Sequence, residues 1–229
     1  PAKFIHFGTT GEILKLMSGG IDKYSELGWH RNTAGSAPEH VACYNGVLAS
    51  GATVGEDCYL EVSHIHSGAK VGDRTVLSYV EIVDEHIPSD VVLHGLKQRD
   101  GKFVVRIYGV NDNPKADLAA CPFLGGTLRD FMAANKISEE ELWEGDDRTL
   151  WTAKLYPACE TPREAVAAAL NVYAMAHGEG DVFSWRASTR KSLCSGFNDA
   201  DPEALIAFDR RMRETVQMER LLKRIRAGK

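Results

Sequence analysis

Three histidines are the first side chains in this chain that could do chemistry. His64 and His66 stand two apart, a spacing that on a β-strand sends both rings to one face, and His94 could reach them from a neighbouring strand. Two such imidazoles could share a metal ion. One of them could instead take a proton from an acceptor hydroxyl or amine, as in an acyltransferase built on hexapeptide repeats. No carboxylate or cysteine completes a ligand-like spacing, so no metal site is assigned. Asp146-Asp147-Arg148 offers a carboxylate pair, but a polar run of this kind reads as an exposed loop. The chain has no GxxxxGK(S/T), no GxGxxG and no serine or cysteine nucleophile elbow. Gly125-Gly126-Thr127 reads as a turn before a helix, and Trp143, Trp151 and Trp185 read as core or interface anchors. No residue is assigned as catalytic.

Whatever these groups do, a repeat must position them. Ser50-Gly51-Ala52-Thr53-Val54-Gly55 returns as Ser67-Gly68-Ala69-Lys70-Val71-Gly72, and Leu60 and Ile65 are answered by Leu77 and Ile82. A fixed short period means stacked coils. Within a coil the apolar positions fall about six residues apart, which predicts a left-handed β-helix of hexapeptide type, each coil turning branched or leucine side chains into a stacked interior. Glycines are expected to supply the backbone angles of the corners. A looser coil follows at Ile87 to Leu93, and Asn45-Gly46-Val47-Leu48 falls where Val62-Ser63-His64-Ile65 falls one coil later. So short an array needs both ends capped.

The expected fold is therefore mixed β and α: a short left-handed hexapeptide-type β-helix followed by a helical cap or small helical domain. Residues 1–36 read as a strand-turn-helix lead-in from a missing upstream domain, 37–115 as the β-helix with a terminal hairpin, and 116–229 as the helical domain. Phe4-Ile5-His6-Phe7 predicts a buried strand, and Thr9 with Glu12 a capping box. Gln98 to Lys102, with Asp-Gly inside it, predicts a hairpin turn. Helix starts are read at Thr127, Ser138, Thr161-Pro162 and Asp201-Pro202. In the last helix Leu205, Phe208, Met212, Val216, Leu221, Leu222 and Ile225 follow a helical period that breaks near Glu219.

Composition narrows the setting. The 229 residues are 44% hydrophobic and 26% charged, with a formal net charge of −5. That balance gives no reason to expect a nucleic acid or an anionic membrane as partner. The late cluster of arginines and lysines reads as a solvated helix face. Five scattered cysteines, no signal pattern and no apolar run of membrane-spanning length predict reduced thiols and a cytoplasmic location.

Four segments in order carry a resemblance. They are Phe4-Ile5-His6-Phe7-Gly8-Thr9-Thr10-x-Glu12, then Tyr108-Gly109-Val110-Asn111-Asp112-Asn113-Pro114-Lys115, then Asp147 to Pro157, and finally Ser192-Leu193-Cys194-Ser195-Gly196-Phe197-Asn198-x-Ala200-Asp201. Around a short β-helix they resemble the fucose-1-phosphate guanylyltransferase region of the bifunctional L-fucokinase/GDP-fucose pyrophosphorylase enzymes. The resemblance implies a nucleotidyltransferase domain upstream and, in bifunctional members, a sugar kinase downstream. It implies GTP and magnesium for the whole enzyme, ATP for a kinase part, and no cofactor in this fragment. The phosphate loops of both domains are absent here, so no catalytic residue carries over. Residues of the matching segments, His6, Thr9, Asn111, Asp112, Lys115, Arg148 and Lys154, are the candidates to lie beside a substrate. The fragment is then a connecting module that associates with further copies through its β-helix. A non-catalytic β-helix scaffold and a hexapeptide acyltransferase are the alternatives.

Overall fold

The computed structural model describes residues 8–19, 21–28, 34 and 37–228; His6 and the strand expected at Phe4 to Phe7 lie outside them. Helix α1 (Thr10–Ser18) opens with the expected capping box, in which Thr9 Oγ1 accepts from Glu12 N and the Glu12 carboxylate accepts from Thr9 N. A 3-10 turn at Ile21–Leu27 follows.

Nine short strands then wind into the solenoid. They are β1 (Val41–Tyr44), β2 (Val47–Leu48), β3 (Thr53–Val54), β4 (Cys58–Glu61), β5 (His64–Ile65), β6 (Lys70–Val71), β7 (Val76–Ser78), β8 (Glu81–Ile82) and β9 (His86–Ile87). Parallel pairing makes three faces, with orders β1-β4-β7, β2-β5-β8 and β3-β6-β9. Val54 pairs with Val71 and Val47 with His64, a step of 17 residues, which is the register the repeat predicts. The interior is filed in columns: Cys43, Leu60, Leu77 and Leu93; Leu48, Ile65 and Ile82; Val54, Val71 and Ile87. Burying one such aliphatic side chain contributes about 1.5–3 kcal/mol, and the columns give each coil several.

Glycine makes one of the three corners, with Gly51 and Gly68 at φ +90° and +93°. The other two use residues with side chains in the left-handed region: Asn45, Val62 and Tyr79 at one, and Asp57, Arg74 and Asp90 at the other. Here the structure corrects the expectation that glycine supplies all the corner angles. At Val62 a β-branched residue at φ +45° costs about 1–2 kcal/mol, offset by burial of its side chain with Met212 and Val216.

Strand β10 (Val91–Lys97) begins a fourth coil and then turns at Gly101 into β11 (Phe103–Gly109), the expected hairpin. After a 3-10 turn at Leu118–Ala120 come β12 (Pro122–Phe123), β13 (Gly126–Thr127), α2 (Leu128–Asn135) and the one-turn α3 (Glu139–Leu142). Then follow β14 (Tyr156–Cys159), α4 (Pro162–Ala176), α5 (Val182–Ala187), β15 (Arg190–Lys191), α6 (Leu193–Asn198) and α7 (Pro202–Arg226). Strands β14 and β15 extend the first solenoid face, giving a seven-stranded sheet of order β1-β4-β7-β10-β11-β14-β15. Helix α4 packs on β8, β10, β11 and β14, and so covers the open end of the solenoid. One buried cluster runs from Val41 to Leu193, joining solenoid interior and cap. Helix α1 lies on the outer side of the large sheet, with Leu14 and Met17 against Ala42, Tyr59, Val76 and Val92. Among the described residues no helix is long and apolar enough to cross a membrane.

Candidate functional site

Two clefts draw on the segments singled out in the sequence. The first, of about 390 Å³, is formed by Gly8 to Gly11 at the start of α1 and by Val110 to Pro114 after β11. The capping box fixes the helix start, and the Glu12 carboxylate accepts from both Gly8 N and Thr9 N at 2.9 Å. Across the cleft the chain turns because Asp112 Oδ2 accepts from Gly109 N at 2.6 Å and from Leu124 N at 3.0 Å. Burial raises the Asp112 pKa, and the two N–H donors work against that rise. Asp112 is therefore committed to the turn. Thr9 and Asn111 remain exposed at the rim, and Lys115 is exposed beside it with no ion pair among the described residues. Asp112→Ala would leave two backbone donors without a partner, and we expect it to lower stability by about 2 kcal/mol, read from urea unfolding. A loss below ~0.5 kcal/mol would show that water replaces the carboxylate.

The second cleft, of about 350 Å³, is lined by Trp143, Asp146, Asp147, Thr152 and Lys154 on one side and by Ser192, Cys194, Ser195 and Asn198 on the other. Trp143 Nε1 donates to Thr149 O at 3.1 Å and Thr152 Oγ1 to Asp147 O at 2.6 Å, which shapes the loop between α3 and β14. Arg148 is paired with Glu139, and Lys154 with Glu144. Ser192 caps α6, and Asn198 Nδ2 points to Cys194 Sγ at 3.4 Å.

The backbone of Trp151 joins the two clefts. Its N–H donates to Pro114 O at 2.8 Å, and its carbonyl accepts from Cys194 N at 2.9 Å. Arg148 O accepts from Leu118 N, and Asp117 bridges to Thr149. Segments centred near residues 10, 112, 151 and 195 thus touch in succession: Thr9, Asn111 and Asp112 line the first cleft, Lys154 lines the second, and Arg148 stands in the segment that connects them. Nothing local in the sequence points to Trp151 as the connector, because it acts through main-chain groups.

The histidines lie elsewhere. His64 and His66 stack with ring centroids 3.8 Å apart, and His94 sits on a different face, bonded through Nδ1 to the Arg106 guanidinium. Among the described residues no three His, Cys, Asp or Glu side chains converge as a metal ion requires. Burial pushes the Cys58 and Cys121 thiols up to about 11, so both are protonated and poor nucleophiles at neutral pH.

The fucose pyrophosphorylase domain family matches residues 1–161. Fucose-1-phosphate guanylyltransferase of Homo sapiens is 26% identical over 191 residues, covering 75% of this chain and 32% of that protein. Its Mus musculus counterpart is 25% identical over 190 residues, with the same coverage. The bifunctional fucokinase/GDP-fucose pyrophosphorylase of Arabidopsis thaliana is 26% identical over 178 residues, 68% of this chain and 16% of that protein. The chain thus spans about a third or less of the length of these curated relatives. No solved structure matches it.

Proposed function

The chain belongs to the fucose pyrophosphorylase domain family, and on that premise we propose that it is the β-solenoid part of an enzyme that joins GTP and fucose 1-phosphate, releasing pyrophosphate and forming GDP-fucose. The observation that carries this reading is that the four family-like segments, far apart in sequence, touch one another in succession around two clefts. Segments far apart in sequence and alike only in combination would have no reason to meet if they merely filled turns. The exposed cation Lys115, with Thr9 and Asn111, offers hydrogen-bond donors for the sugar-phosphate side. Arg148 and Lys154 already have carboxylate partners, so they serve first to hold the loop around the second cleft.

Among the described residues no three His, Cys, Asp or Glu side chains converge, so this part offers no metal cage of its own; the magnesium ion of such an enzyme would rest on one or two carboxylates and the substrate phosphates. The nucleotide would be gripped by residues outside this chain's recognisable segments, and the solenoid would set where that grip stands. Association of copies belongs to the same proposal. The β3-β6-β9 face, with Thr53, Lys70 and His86 exposed, is open to such a contact. We expect the product of the whole reading frame to release pyrophosphate from GTP and fucose 1-phosphate, and residues 1–229 alone to release none. Turnover by residues 1–229, or none by the whole product, would overturn the proposal.

A further inference from the structure

An apolar cavity of about 370 Å³ lies under the first half of α7 and shares no lining residue with either cleft described above. Val80, Val105 and Val166, all members of the main core, form its floor. Ala204, Leu205, Ala207 and Phe208 of α7 form its roof. One to two turns further along, Met212 and Val216 close down on Val47 and Val62, so the helix is packed there. Over the cavity it is not. Two alanines stand where larger side chains could have met the floor, and α7 stands off from the core. A close-packed interior leaves no space of this size unfilled, and an apolar lining gives water few partners. The shape therefore suits an apolar guest.

The polar side chains of the lining say which kind. They are Tyr79, Glu81, Lys97 and Arg211. Arg211 is paired with Glu81, and its guanidinium stands 4.7 Å from the centre of the Phe208 ring. Lys97 is exposed, with Nζ 5.1 Å from the centre of the Phe103 ring and no ion pair among the described residues. One cation is thus left over, resting on a ring that is itself part of the lining. A sugar or a nucleotide in this space would leave most of its hydrogen-bonding groups unpaired. A cationic amphiphile would meet Lys97 as a like charge. We infer that the cavity binds a small amphiphile with a single carboxylate, its hydrocarbon tail on Val80, Val105 and Val166 and its head at Lys97. Such a guest has no part in the proposed nucleotidyl transfer.

Calorimetric titration of residues 1–229 with octanoate, decanoate and decanol provides the test. Affinity should rise about four-fold for each methylene added between octanoate and decanoate. Decanoate should bind about five-fold more tightly than decanol, the worth of one exposed ion pair. Lys97→Gln, at an exposed position, should remove that preference and keep the gain with tail length. Ala204→Trp fills the space from the α7 side and should weaken decanoate by about ten-fold or more, with the parent's circular dichroism retained. Equal binding of decanoate and decanol, no binding of either, or decanoate binding that neither variant alters overturns the inference. So does dimerisation in sedimentation, or pelleting with phosphatidylglycerol vesicles, that Ala204→Trp abolishes, since the cavity would then belong to a second copy or to a membrane.

Discussion

Gly72→Ala is expected to lower the unfolding free energy by about 3 kcal/mol, the cost of forcing an atom into a close-packed core. The reason is the stacking distance between coils. A β-carbon at residue 72 would stand 2.6 Å from Ser89 N and 2.9 Å from the Pro88 carbonyl carbon, both main-chain atoms of the next coil that cannot move alone. Gly55 meets the coil after it in the same way, at 2.7 Å from Asp73 N and 2.9 Å from the Gly72 carbonyl carbon. Gly68 differs in kind, since its φ is +93° and nothing lies within 4 Å of its missing side chain. Gly68→Ala should therefore cost only the backbone strain, about 1–2 kcal/mol. Gly145→Ala, with neither constraint, should stay within ~0.5 kcal/mol of the parent. Urea unfolding of the three variants separates the cases. Similar midpoints for Gly72→Ala and Gly145→Ala would mean that the coils do not approach as closely as described.

The same glycines show how far the sequence could be read. The 17-residue echo gave the coil register correctly, because a side chain's place in a column depends only on spacing. It did not show why each glycine is there. Close approach and positive φ leave the same letter, and at the two corners without glycine only Asn45, Asp57 and Asp90 are of a type that favours positive φ. Val62 and Tyr79 give no sign in the sequence that they turn a corner. The helix starts at Thr9, Thr127, Thr161 and Asp201 were legible for a local reason, since a cap and its partner are three residues apart. Strands β14 and β15 were not. Each is short and pairs with a strand distant in sequence, so neither shows a period of its own. The candidate residues were legible as four segments, but their contacts were not, because main-chain bonds of Trp151 make the connection.

A second large effect is expected from acid acting at His94. Burial, and then the charge of Arg106, pull the His94 pKa from its ordinary 6.5 down to about 3. Its Nδ1 accepts from the Arg106 guanidinium, Ser78 is its partner across the sheet, and the Tyr79 ring stands 6.3 Å away. In the unfolded chain the same imidazole takes a proton near its ordinary pKa. Between that value and about 3 the unfolded state therefore binds more protons than the folded one. The stability is fully present above pH 6.5 and is lost as pH falls toward 3, at a limiting slope of about 1.4 kcal/mol per unit. His94→Gln keeps an acceptor for Arg106 and removes the titration. Relative to its own value at pH 7.5, the variant should lose about 2 kcal/mol less than the parent by pH 5, read from urea midpoints at the two pH values. Parallel pH profiles would exclude His94 as the titrating group. The consequence reaches the candidate site as well. Arg106 donates its other terminal nitrogen to Leu193 O at 2.8 Å, and Leu193 opens the helix that lines the second cleft. A proton on His94 would set two cations side by side beneath that helix, so acid should loosen the cleft wall together with the sheet.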